Sequence, residues 1–146
     1  MRFFKSRLFK HLLLFLIGGT LYIIIEIIWR KIFGSHPTHW TMFLLGGLAF
    51  VFIGLINEYL SWETSILIQC LIGTFGVLLL EFIFGCVLNL WLNLNIWDYS
   101  SVPFNILGQV CLPFAFAWYF LTAIAIVLDD YLRYWLFREE KPKYCI

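Results

Sequence analysis

Four long apolar runs divide the chain, with short polar stretches between them. Bounded by charged and turn-forming residues, they cover residues 11–29, 40–60, 65–92 and 104–136. Three of them reach the roughly 20 residues a helix needs to cross a bilayer's hydrocarbon core, and the first comes close to it. The third and fourth exceed it, which predicts tilt or extension into the interface. Pro113 falls inside the fourth run and predicts a kink there, because proline removes a donor and its ring clashes with the preceding turn. The connections are unequal. Runs two and three are joined by little more than Ser61-Trp62-Glu63-Thr64, whereas the stretches Arg30 to His39 and Asn93 to Pro103 are longer. The most polar interruption runs from Trp97 to Gln109; it carries Asp98 and Pro103 and leads with Asn105 and Gln109 into the fourth run. That is more hydrogen-bonding capacity than turning a hairpin requires. The pattern predicts an all-α membrane protein, a four-helix transmembrane bundle, with residues 1–146 as a single multi-pass membrane domain.

Composition agrees with the pattern. A hydrophobic fraction of 62% with 13% charged residues and a mean hydropathy of +0.89 departs far from the roughly half apolar and quarter charged make-up of soluble domains. The partner this implies is the lipid bilayer. A net charge of +1 gives no basic field for nucleic acid. Cys70, Cys86 and Cys111 lie inside apolar runs and read as reduced, packed thiols. Cys145 is second from the end, where prenylation needs the fourth. His36 and His39 flank Pro37-Thr38 without a second pair or a cysteine to support them, so neither metal nor cofactor is expected. The basic residues before Leu12 imitate a signal peptide, but the run is too long for an h-region and no A-x-A site follows, so it reads as a membrane helix.

Orientation follows from Lys and Arg near the helix ends. With four helices the two termini share a side, which carries Arg2, Lys5, Arg7, Lys10, Arg133, Arg138, Lys141 and Lys143; the opposite side has Arg30 and Lys31. Eight against two predicts a cell-membrane protein with both termini cytoplasmic and the Trp97 loop outside.

The strongest chemical signal is carboxylate inside hydrocarbon, which costs roughly 2.5–3.5 kcal/mol at a helix centre and so demands a partner or a role. Glu26 and Glu81 each sit about 16 residues from a cytoplasmic end, roughly 24 Å in at 1.5 Å per residue. Arg30 is one turn beyond Glu26 and is placed to pair with it. Gly73, Glu81, Gly85 and Asn89 recur at multiples of four, as do Gly46, Gly54 and Glu58, a spacing that suits close helix crossing. Asn105 and Gln109, four apart, are predicted on one face of the fourth helix. Together Glu26, Arg30, Glu81, Asn89, Asp98, Asn105 and Gln109 are the candidates for an outward-facing polar pocket. A second set, Asn57, Glu58, Asp129, Asp130 and Arg133, falls at the cytoplasmic ends and reads as closing salt bridges or as an inner gate.

A duplication is also open. Gly19-Thr20 precedes Glu26 as Gly73-Thr74 precedes Glu81, and Gly46-Gly47-Leu48 answers to Gly108-Gln109-Val110. Two related helical hairpins would then run in the same direction through the membrane.

The order Glu26-Ile-Ile-Trp29-Arg30, His39-Trp40, Gly54-Leu-Ile-Asn57-Glu58, Glu81-Phe-Ile-Phe-Gly85, Trp97-Asp98-Tyr99-Ser100, Pro103-Phe104-Asn105, Gly108-Gln109 and Leu128-Asp129-Asp130 resembles a known family. It is similar to the CmpB-type putative ABC-transporter type IV membrane family, related to animal transmembrane protein 229. The resemblance spans nearly the whole chain and implies a small multi-pass permease-like protein. The chain has no Gly-x4-Gly-Lys-Ser/Thr phosphate loop, so it is not itself an ATPase. The Ser61-to-Thr64 hairpin is too short for a coupling helix, which argues against a separate ATPase partner. The expectation is a small-solute or ion transporter, or permease-like subunit, working as a homo-oligomer or with another membrane subunit. A non-catalytic partner or assembly factor is the alternative. An intramembrane lipid-modifying enzyme is disfavoured, since neither a paired acidic metal motif nor a placed nucleophile and base is present.

Overall fold

A computed structural model describes residues 6–34 and 36–146; Arg2 and Lys5 of the basic N-terminal cluster lie outside the described residues. The elements in order are α1 (Arg7–Phe33), α2 (Thr41–Tyr59), α3 (Ile66–Gly85), a π-helical turn (Cys86–Trp91), β1 (Asn105–Ile106), β2 (Val110–Cys111) and α4 (Leu112–Phe137). Among the described residues four helices, counting α3 with its π turn as one, are long and apolar enough to cross a membrane. With 19 residues, α2 is about 28 Å long, close to the hydrocarbon thickness, whereas the others exceed it.

Capping fixes several of the ends. Gly34 closes α1 in the left-handed conformation (φ 68°), its N–H returning to the Arg30 carbonyl. Ser65 Oγ accepts from the Leu67 N–H at the start of α3, at 3.3 Å. At α2 the N-cap residue, Trp40, contributes no side-chain bond, and His39 Nδ1 stands in, lying 3.4 Å from the Thr41 N and 2.8 Å from its hydroxyl.

The hub is α2, which packs against α1, α3 and α4. Its contact with α1 is a row of aromatic rings seated on glycines: Phe15 on Gly47, Tyr22 on Gly46, Phe43 on Gly19 and Phe50 on Gly18. A Cβ at any of these glycines would run into its ring. The stripes of small residues therefore seat large side chains. Gly54 likewise receives Asp129, Gly73 receives Thr122, and Gly85 receives Gln109. Two apolar clusters result, one of Ala49, Ile53, Cys70, Val77 and Ile126 among α2, α3 and α4, the other of Met42, Leu45, Leu88 and Ile96 nearer the long loop.

Helix four begins at Leu112 rather than at 104. Residues 105–111 form a small antiparallel hairpin, pairing Asn105 with Cys111 and Ile106 with Val110. Leu107 (φ 51°) and Gly108 (φ 69°) make its turn in the left-handed region. Asn105 and Gln109 consequently do not share a helix face. Pro113 lies in the first turn of α4, where its missing N–H has no partner to lose, so it starts the helix instead of kinking it. Gly46 sits mid-helix and Gly108 in a left-handed turn, so this pair has no common backbone to support a duplication.

At the end of the molecule holding the termini, the tail after α4 folds back. Cys145 pairs in parallel with Ser65, Ile66 donating to its carbonyl at 2.8 Å. Glu139 bonds Lys10 of α1.

Candidate functional site

Beneath the long loop, at the opposite end, residues of all four helices and the loop line a partly open cleft of about 610 Å³. Glu26 and Arg30 from α1, Glu81 from α3 and Asp98 from the loop all line it, so four of the seven pocket candidates share one space. Glu26, part-buried, and Glu81, buried, are in different circumstances. Arg30 Nε donates to Glu26 Oε1 at 2.8 Å, one turn apart on α1. The same guanidinium donates to the carbonyls of His36 (2.9 Å), Pro37 (3.5 Å) and Ile96 (3.0 Å). It holds the two loops at that end together while neutralising Glu26. Glu81, only 4% exposed, receives the Tyr99 hydroxyl at 3.3 Å and the Trp118 indole N–H at 3.1 Å. Both donors are neutral, and among the described residues no Lys, Arg or His lies within salt-bridge distance of it.

The other three candidates build the frame around the cleft. Asn89, on the π turn, accepts the Ile96 N–H at 2.7 Å and donates to Gln109 Oε1 at 2.9 Å. Gln109, 2% exposed, adds a bond from its amide to the Leu107 carbonyl at 2.9 Å, and its own carbonyl accepts the Trp97 indole at 2.9 Å. Asn105 ties the loop to itself, donating to Val102 O at 2.8 Å and accepting Gly108 N–H at 3.0 Å. The π turn matters here, because its wider winding turns Asn89 toward the loop at the point where α3 ends.

Asp98 sits on the exposed rim, and the Ser100 N–H, at 2.8 Å, holds its carboxyl below the usual range. It is therefore ionised at neutral pH. Burial first, and then the neighbouring Glu81, push Tyr99 upward, which keeps its hydroxyl a donor.

The walls are aromatic, and residue-by-residue reading of the sequence did not single them out. Tyr22 stacks on Trp118 with centroids 5.7 Å apart, Tyr99 stacks on Phe114 at 4.7 Å, and Trp29 meets Phe114 edge-on at 6.0 Å. Two spacings carried the signal: Tyr22 is one turn before Glu26, and Phe114 one turn before Trp118.

The model of one protein family matches residues 13–142, with the description putative ABC-transporter type IV. The chain belongs to that family. No solved structure matches it. For this member of the type IV family the structure thus supplies the geometry directly.

The second candidate set comes together at the termini end. Arg133 bonds both Asp129 and Glu58, and Asn57 donates to Asp130 at 2.7 Å. Tyr144 of the tail donates to Asp130 at 2.9 Å, and Asp130 pushes that phenol's pKa further up on top of burial. Asp129 is fully buried and Arg133 is 3% exposed. The five residues thus fall into two adjacent bonded sets, Glu58–Arg133–Asp129 between α2 and α4 and Asn57–Asp130–Tyr144 among α2, α4 and the tail. His36 lies at the cleft rim and His39 at the start of α2.

Proposed function

We propose that this type IV family member is a transporter-type membrane subunit that binds a small solute or ion in the cleft, with Glu81 as its binding acid. The observation that carries the reading is a buried carboxylate, facing a cavity, that is held by two neutral donors and, among the described residues, by no counter-ion. A structural acid in hydrocarbon is normally matched by a cation, as Glu26 is by Arg30. Arg30 balances charge and braces the loops, and it is not free to meet an anion. Asn89, Asn105 and Gln109 act by fixing the loop that roofs the site.

The family description supports transport, and the Lys and Arg asymmetry supports both termini in the cytoplasm of a cell-membrane protein, with the cleft facing out. The Glu58–Asp129–Arg133 network then closes the inner end as a gate. Four helices alone enclose little of a path, which favours a homo-oligomer. The tail lying on the Ser61-to-Thr64 hairpin, with Tyr144 against Trp62, leaves that hairpin a poor dock for an ATPase.

The test is flux in proteoliposomes, read as current for small cations and anions and as radiolabelled uptake for neutral solutes. Glu81→Gln is expected to abolish the wild-type signal while the protein elutes and melts normally. Unchanged flux in Glu81→Gln rejects the role of Glu81.

A further inference from the structure

We propose that the cleft selects an organic ammonium cation, the Glu81 carboxylate supplying the charge partner and the surrounding aromatic faces the seat. This rests on the reading of Glu81 as the binding acid and adds the chemical class of what it binds. Three observations converge.

The first is charge. Histidine and the two tyrosine phenols aside, the ionisable groups lining the cleft are three carboxylates and one guanidinium. That guanidinium is consumed by Glu26 and by three backbone carbonyls. Two acids remain without a cation, Glu81 at the depth of the cleft and Asp98 at its rim, so the space attracts positive charge.

The second is the wall. Tyr22, Trp29, Trp97, Tyr99, Phe114 and Trp118 all line it. Aromatic faces attract a cation through the ring quadrupole, most strongly where water is excluded, and they favour a weakly hydrated alkylammonium over a strongly hydrated metal ion. A site for a metal ion would instead offer several oxygen ligands. Among the described residues Glu81 is the one deep carboxylate of this cleft without an ion-pair partner, and no group of three or more His, Cys, Asp or Glu could hold a metal.

The third is size. About 610 Å³ lies within the roughly 300–1,000 Å³ of pockets for small organic molecules, far larger than a proton or a monatomic ion requires. Purely structural burial of Glu81 would not need a space of that volume beside it.

The experiment uses the purified full chain in nanodiscs and follows tryptophan fluorescence, since Trp29, Trp97 and Trp118 face the cleft. Choline and benzyltrimethylammonium are the probes; 3,3-dimethyl-1-butanol, a neutral isostere of choline, and sodium acetate are the controls. Saturable quenching by the ammonium ions alone is expected. Glu81→Gln should weaken it at least tenfold, and Trp29→Leu, at a half-exposed ring that makes no hydrogen bond to the fold, several-fold. Trp29→Leu keeps the test informative should Glu81→Gln fail to fold. Equal binding of the neutral isostere overturns the charge selection. No ammonium binding by a protein whose flux still depends on Glu81 overturns the ligand class while leaving Glu81 as the binding acid. Ammonium binding that Glu81→Gln leaves unchanged overturns both.

Discussion

Arg30 shows how one side chain separates a structural acid from a functional one. Its planar fork reaches Glu26 and three carbonyls in different directions, from Nε, Nη1 and Nη2. A lysine would keep the charge but is a point donor that cannot address four acceptors spread around a plane. Arg30→Lys should retain the pairing with Glu26 and release Ile96 and His36. Each lost bond to a charged donor is worth about 1.5–3 kcal/mol at the upper end, and this site, with Arg30 and Glu26 only 11% and 14% exposed, is largely shielded. We expect a net loss of about 1–3 kcal/mol, read as a fall of several degrees in the thermal midpoint of detergent-solubilised protein. An unchanged midpoint would mean that the loops are held without the fork. Glu81 has no such anchor, which is why the two acids, at similar sequence depth, are assigned different work.

Where α3 gives way to the loop, the π turn places Asn89 to do what a backbone partner would otherwise do. Asn89→Ala would orphan the buried Ile96 N–H and remove a bond to Gln109. About 1–3 kcal/mol per buried orphan is expected. It should appear as faster hydrogen exchange at Ile96, with α1 and α2 unaffected; unaltered exchange would assign the roof to other contacts. This corner is also where sequence reading failed. Phe104, Ile106, Leu107, Val110 and Cys111 are apolar, so hydropathy carried the fourth helix through this segment despite Asn105 and Gln109. What decides otherwise is local: Phe104, Leu107 and Gly108 adopt left-handed φ, and Asn105 caps the resulting loop. Of these, Gly108 was a visible signal, read as the counterpart of Gly46 in a duplication and not as a turn. The four spans themselves were legible because bilayer length leaves little choice. The acids were legible because charge in hydrocarbon is rare, whereas the aromatic walls were hidden in a chain of 21% aromatic residues.

For the whole molecule, the two polar clusters occupy opposite ends of the bundle: a cleft under the long loop, and a closed ion-pair network beneath the tail. The direction of any binding event across a membrane depends on which end faces the cytoplasm, and Cys145 can report it. It is exposed beside Ser65 at the network end, Cys70 and Cys111 are buried, and Cys86 is half-buried. A membrane-impermeant maleimide should therefore find Cys145 first among the four. With the basic end inside, intact cells should leave it unlabelled, and permeabilisation should expose it; Cys145→Ser should lose that signal. Ser101→Cys, on the exposed part of the long loop, should label in intact cells without permeabilisation when introduced into the Cys145→Ser background. The two positions are at opposite ends of one bundle, so they must respond oppositely, and a labelling pattern that is the same for both would contradict the fold itself. The reverse pattern, Cys145 reactive in intact cells, would keep the fold and turn the cleft toward the cytoplasm, making Glu81 an acid that captures its cation from the cell interior.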